Sequence, residues 1–216
     1  MRIVIMGPPA SGKGSQKPFL TEELNIPQIS TGEMFRNEIK KGTSLGKKIE
    51  KGMSEGKLVT DELTNEIVKE RLKEEDVSKG FILDGYPRTL PQAFYLDQLL
   101  KEKQLKLDYV FNLTADEDLL IKRIIGRRTC PQCGRIYNIY FLKPKVANKC
   151  DYCGATLVKR KDDTKEVIIE RLKAYHEKTE PIINYYQEKA ILVNIDGSKA
   201  PYDSFLEIKS AIEKSK

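Results

Sequence analysis

The chain has 216 residues, enough for one sizeable α/β core plus an insertion. Hydrophobic residues make up 39% and aromatic residues 8%, which excludes global disorder. Charged residues reach 32% with a net charge of +6. That balance suits either a surface that grips nucleic acid or an arginine-lined cleft that grips small polyphosphates. The lysines alternate with glutamates, as in Lys47-Lys48-Ile49-Glu50-Lys51, which reads as a solvated surface rather than a nucleic-acid stripe. No apolar run has the length of a secretory h-region or a membrane span, so a soluble cytoplasmic protein without membrane or nucleic-acid partners is expected. In that reducing compartment the four cysteines suit metal ligation better than disulfides.

Residues 3–6 (Ile-Val-Ile-Met) read as a buried strand. They run into Gly7-Pro8-Pro9-Ala10-Ser11-Gly12-Lys13-Gly14-Ser15, a G-x-x-x-x-G-K phosphate loop between strand and helix. Glycines let backbone N–H groups crowd around anionic oxygens, and the next helix aims its positive end at the same point. A helix is expected over 13–24, with Pro18 forcing a kink or an irregular first turn. Ser30-Thr31-Gly32-Glu33 has the pattern of a capping box opening a helix that Gly42 ends. A short helix over 44–54 stops at Gly56, and another begins at Thr60-Asp61-Glu62. Residues 30–59 thus form a small helical excursion.

Residues 81–84 read as a strand ending in Asp84, 91–100 as a helix and 109–113 as a strand. Thr114-Ala115-Asp116-Glu117 reads as a second capping box, for a helix to about 126 on which Arg123 and Arg127 share a face. From 127 to about 161 cysteines, glycines and short β-like pieces (136–141 and 156–158) replace long helices. Asp163-Thr164-Lys165-Glu166 reads as a third capping box, before a long helix. Residues 191–195 and 202–214 make the last strand and helix. Strands alternating with helices imply a parallel sheet wrapped by helices. There is no internal repeat.

Cys130-x-x-Cys133 and Cys150-x-x-Cys153 are two C-x₂-C pairs sixteen residues apart, the spacing of a zinc site that iron could also fill. Gly134 and Gly154 follow the pairs and permit tight turns. Four thiolates close a tetrahedron, so the metal is structural and staples an insertion too small for a core of its own.

Three motifs coexist: the phosphate loop, Ser30-Thr31-Gly32-Glu33-Met34-Phe35-Arg36, and Asp84-Gly85-Tyr86-Pro87-Arg88-Thr89. Together they resemble the adenylate kinase family in its long-lid bacterial form with a metal-bearing lid, over essentially the whole chain. The resemblance implies a five-stranded P-loop α/β fold. The core would be 1–29, 60–125 and 164–216, the monophosphate-binding insertion 30–59 and the zinc-bearing lid 126–163. It implies a monomer that converts ATP and AMP to two ADP with Mg²⁺. It places Ala10, Ser11, Gly12, Lys13, Gly14, Ser15, Arg127, Ile136, Tyr137 and Lys199 at ATP. It places Thr31, Arg36, Lys57, Leu58, Val59, Gly85, Tyr86, Pro87, Arg88 and Gln92 at AMP, with Arg160 and Arg171 of the Arg160-x-Asp162-Asp163…Arg171 pattern. Lys13, Asp84, Arg88, Arg123, Arg160 and Arg171 would be the catalytic set, Asp84 holding the magnesium waters and Asp162 and Asp163 locking the lid. No side-chain nucleophile is needed, because a phosphate oxygen of AMP attacks. Ala10 stands where the family usually has glycine, a strained choice if that position needs a positive φ. Kinases for UMP, CMP or GMP remain close alternatives; a nucleotide-gated protein whose cysteine insertion binds RNA, with Tyr137, Tyr140 and Phe141 near Lys143 and Lys145, is a remote one.

Overall fold

The computed structural model describes residues 1–214. Strand β1 (Arg2–Met6) is buried on both faces, as an apolar run in a parallel sheet must be. It lies at the centre of a five-stranded sheet with β2 (Gln28–Ser30), β3 (Phe81–Asp84), β4 (Tyr109–Thr114) and β7 (Leu192–Asp196), in the order β2-β3-β1-β4-β7. All four pairings are parallel. Residues alternate between two cores: Val4, Leu83 and Val110 face one, Ile3, Ile82 and Phe111 the other. Helices α4 (Asp61–Arg71), α5 (Leu90–Glu102) and α8 (Pro181–Glu188) cover the first, with Val68, Leu96 and Tyr186. Helices α1 (Lys17–Leu24) and α9 (Pro201–Glu213) cover the second, with Leu20, Phe205 and Ile208. Burial of these side chains is worth about 1.5–3 kcal/mol each.

The expected irregularity at Pro18 takes a definite form. Residues Lys13–Gln16 make a 3₁₀ turn, and the α-helix begins only at Lys17, so Pro18 lies in its first turn, where no donor is lost. Strand β2 is absent from the sequence reading: three residues before a helix carry no periodicity, and pairing with β3 makes the strand.

None of the three expected capping boxes forms as such. Ser30 precedes α2 (Thr31–Lys40) without a side-chain cap, because Glu33 is drawn to Lys17 Nζ at 2.9 Å. Thr114 ends β4, and Asp116 occupies the start of α6 (Glu117–Gly126) without capping it through its side chain. Asp163 is buried against Arg127, so Thr164 caps α7 (Lys165–Ala174), accepting from Val167 N at 3.3 Å. The helix expected over 44–54 is α3 (Ser44–Ser54), capped by Thr43.

Residues 127–163 leave the core. Strand β5 (Arg127–Thr129) pairs antiparallel with β6 (Ile136–Asn138), which stops three residues short of the expected 136–141. Asn138 explains the stop: its Oδ1 accepts from Tyr140 N at 2.9 Å, turning the chain, and its Nδ2 donates to Arg123 O at 2.8 Å. Arg127 is already extended, so it does not share a helical face with Arg123. After α7 the helix widens by one residue per turn over Tyr175–Thr179, where Glu180 N donates to Tyr175 O at 2.9 Å.

Candidate active site

The carboxyl ends of β1, β2 and β3 open into a cleft of about 580 Å³, at the point where the strand order reverses. Residues 10–15 of the loop line it, opposite Thr31, Arg36 and the connection Lys57-Leu58-Val59. Asp84, Gly85, Pro87, Arg88 and Gln92 line it from the end of β3. Arg123, Arg127, Arg160, Arg171, Ile136, Tyr137 and Lys199 close it from the far side. One expected residue is elsewhere. Tyr86 turns its ring into the core, where its hydroxyl donates to Asn65 Oδ1 at 2.6 Å. The aromatic ring gains more from burial than from a polar cleft, and Gly85 and Pro87 face the cleft instead.

The loop's shape comes from left-handed backbone. Gly7 has φ +133°, and a Cβ there would lie 2.2 Å from Leu113 O. Ala10 adopts φ 66°, so the expected strain on this alanine is present. Lys13 Nζ donates to the loop carbonyls of Gly7 at 2.8 Å and Pro8 at 2.7 Å. Burial lowers its pKa to about 8; Asp84 opposes that shift, and Arg88 and Arg127 add to it. Burial likewise lowers Arg160 to about 9, reinforced by Arg127 and Arg36. Arg36, Arg88 and Arg123 shift the same way, burial again leading. Guanidinium keeps its proton at neutral pH. The shifts therefore express crowded, poorly solvated positive charge, which a polyanion relieves.

Five of the six arginines are held by hydrogen bonds or ion pairs within the protein. Arg88 Nε donates to Gly85 O at 2.8 Å, the carbonyl that Thr31 Oγ1 also reaches at 2.8 Å. Arg123 donates to Gly197 O at 2.5 Å and Ser198 O at 2.9 Å. Arg160 Nε donates to Thr129 Oγ1 at 3.1 Å. Arg127 pairs with Asp163 and Arg171 with Asp162, the two acids expected to secure the lid. The segment 127–163 lies close over the loop: Ile136 Cδ1 comes within 3.0 Å of where a Cβ on Gly14 would stand. Lys161 approaches Glu50 of α3 at 3.7 Å. Lys199 lines the cleft while pairing with Glu207.

Three supporting residues escaped the sequence reading. Gln28, on the unrecognised β2, donates through Nε2 to Asp84 Oδ2 at 3.1 Å. Its Oε1 is buried without a partner. An acid and an orphaned acceptor side by side suit a hydrated divalent cation, whose waters only donate toward them, so the residues fit Mg²⁺. Thr179, in the widened turn, donates to Arg88 O at 2.9 Å. Asp61 accepts from Gln92 Nε2 at 2.7 Å. None of these contacts is signalled by spacing, since each joins separate elements. His176, in the widened turn, bridges Glu180 at 2.8 Å and Glu117 at 2.9 Å.

The cysteines do come together. The four sulfurs lie within 4.8 Å of one another, with Cys130–Cys153 at 3.4 Å and Cys133–Cys150 at 3.6 Å. A disulfide needs about 2.05 Å. Thiolates 2.3 Å from a tetrahedral ion stand ~3.8 Å apart, so this arrangement fits a metal cage better than a disulfide. Tyr137 Oη lies 3.5 Å from Cys150 Sγ, and donation by Asp151 N at 2.8 Å holds that hydroxyl. Only Cys130, Tyr137, Cys150 and Leu157 form the buried cluster here. Among the described residues, no helix is long and apolar enough to cross a membrane.

A family model described as adenylate kinase matches residues 5–191. An adenylate kinase of Acholeplasma laidlawii is 52% identical over 92% of this chain and 91% of its own length. One from Caldanaerobacter subterraneus subsp. tengcongensis is 49% identical over 98% and 96%. One from Archaeoglobus fulgidus is 48% identical over the full length of both chains. A phosphate loop, an acid at the end of β3 and a ring of held arginines around one cleft agree with these likenesses, and the chain belongs to the adenylate kinase family.

Proposed function

We propose that this chain is a phosphotransferase that interconverts ATP plus AMP and two ADP. The observation that carries this is the concentration of Lys13 and six arginines in one cleft, opposite a single strand-end acid. In the forward step an oxygen of the AMP phosphate forms a bond to the γ-phosphorus of ATP. The bond from that phosphorus to the β–γ bridging oxygen breaks, and both products are ADP. The protein need only align the two phosphates and neutralise their equatorial oxygens.

The loop residues Ala10–Ser15 and Lys13 hold the ATP phosphates in this reading, with Arg127, Ile136, Tyr137 and Lys199 about the remainder of that nucleotide. Arg36 and Arg88 take the AMP phosphate; Thr31, Lys57, Leu58, Val59, Gly85, Pro87 and Gln92 surround AMP. Arg123, Arg160 and Arg171 meet the transferring group, where bidentate forks match phosphate geometry. Mg²⁺ arriving with ATP supplies charge neutralisation, and Asp84 with Gln28 would hold its water shell. Segment 126–163 is the lid, 30–59 the monophosphate-binding part, and 1–29, 60–125 and 164–216 the core. The lid excludes water that would otherwise hydrolyse ATP. Zinc fills the cysteine cage as a structural ion. Four cysteines placed as metal ligands rather than disulfides support a cytoplasmic setting, and the family resemblance supports a monomer.

The test is ADP formation from ATP and Mg²⁺ with AMP, GMP, CMP or UMP, and with ATP alone. ADP is expected to require AMP. Arg88→Met is expected to lower kcat by about 100-fold while leaving the thermal melt in place. Equal rates with UMP, or full activity in Arg88→Met, would overturn the assignment.

A further inference from the structure

Gln92 is 2% exposed yet its amide borders the cleft. Both ends of that amide are engaged within the protein. Oε1 accepts from Arg88 N at 2.8 Å, and Nε2 donates to Asp61 Oδ1 at 2.7 Å. A backbone N–H can only donate and an ionised carboxylate can only accept. The amide therefore has one permitted orientation, set by partner chemistry. Asp61 is itself fixed, its other oxygen accepting from Thr89 Oγ1 at 3.0 Å. Thr89 in turn caps α5 by accepting from Gln92 N at 3.2 Å. The four groups form a closed circuit around one side chain.

Each end of the amide keeps one unused valence: a second lone pair on Oε1 and a second hydrogen on Nε2. The 6-position edge of a purine offers two patterns. Adenine presents an amino donor beside the N1 acceptor. Hypoxanthine and guanine present an O6 acceptor beside an N1–H donor. An amide locked one way round matches one pattern and opposes the other; an amide free to turn over satisfies either. We infer that Asp61 is a specificity-determining positioning residue: by fixing the Gln92 amide it makes the monophosphate site read 6-amino purines and reject 6-oxo purines. This rests on the assignment of Gln92 to the AMP base made above.

The variant is Asp61→Asn, which keeps shape and supplies a side chain able to donate as well as accept. Acceptor activity is measured as kcat/KM for AMP and for IMP, which differs from AMP at the 6-position and N1 without an added 2-amino group. The AMP-to-IMP ratio is expected to narrow by about tenfold or more, through the acceptor KM, with KM for ATP unchanged. Asp61→Ala removes the acceptor without adding a donor and gives the same readout should the asparagine variant fail to fold. An unchanged ratio, or equal losses with both acceptors, in whichever variant folds overturns the inference. Gln92→Ala separates the two layers. If it narrows the ratio and the Asp61 variants do not, only the role of Asp61 falls. If Gln92→Ala itself leaves the ratio unchanged, the assignment of Gln92 to the base falls with it.

Discussion

Lys13 shows what the cleft asks of single residues. Its ammonium is buried, and two loop carbonyls in the free protein only partly replace its water. Its folded pKa of about 8 lies below the usual 10.5. Below pH 8 both folded and unfolded chains carry the proton, and the folded chain bears the cost of burying it. Between about 8 and 10.5 the unfolded chain holds a proton the folded chain has lost. Stability from this group therefore rises with pH across that window. Lys13→Met removes the dependence. The melting temperature of the variant minus that of the parent, both without nucleotide, is expected to be more positive at pH 7 than at pH 9.5, while phosphoryl transfer is lost. A difference that does not change with pH would contradict the assignment of this shift to burial. Ala10 carries a related cost, since its φ of 66° is one a glycine would adopt freely.

At the scale of elements, the join between α6 and the segment after it depends on Asn138. Its amide satisfies Arg123 O near the helix end and two turn N–H groups, of Tyr140 and Phe141. Gly126 makes this closeness possible, because a Cβ there would come within 2.5 Å of Asn138 Oδ1. Asn138→Ala leaves these backbone groups to be resatisfied by water in a buried place. It is expected to cost about 2 kcal/mol, concentrated locally. Hydrogen exchange would show faster exchange across residues 127–163 with α9 unchanged. Uniform loss of protection through both would mean that Asn138 supports the whole molecule.

At the scale of the molecule, two apolar cores flank one sheet, a small cluster joins α6 to α7, and another equally small one includes sulfur. That cluster holds four buried residues, two of them cysteines. So small a core cannot hold a 37-residue segment folded on hydrophobic burial alone, and under the proposed metal assignment an ion bound by the four cysteines supplies the rest. Chelation of the ion from the purified protein is expected to release one metal per chain and to lower the first melting transition by about 5 °C or more. Activity should fall with it as residues 127–163 lose order. An unchanged melting curve after full metal release would rule out a structural site.

Much of this was legible in the chain. The apolar runs of β1, β3, β4 and β7, the phosphate loop and the paired cysteines are local patterns, and local sterics and spacing dictate them. The family resemblance marked Ala10 as a glycine position, and its φ of 66° is the positive one that makes alanine strained there. What could not be read is every arrangement in which one element borrows a partner from another. β2 exists because β3 offers it a ladder. The caps moved because Glu33 found Lys17 and Asp163 found Arg127. Tyr86 went to the core while its neighbours faced the cleft. Gln28, Asp61 and Thr179 touch Asp84, Gln92 and Arg88 across 56, 31 and 91 residues. The sequence by itself determined strands β1, β3, β4 and β7, the phosphate loop and the paired cysteines, because those follow from neighbours along the chain. Only the tertiary structure decided which polar groups orient them, because a buried donor or acceptor must find its partner wherever packing brings one.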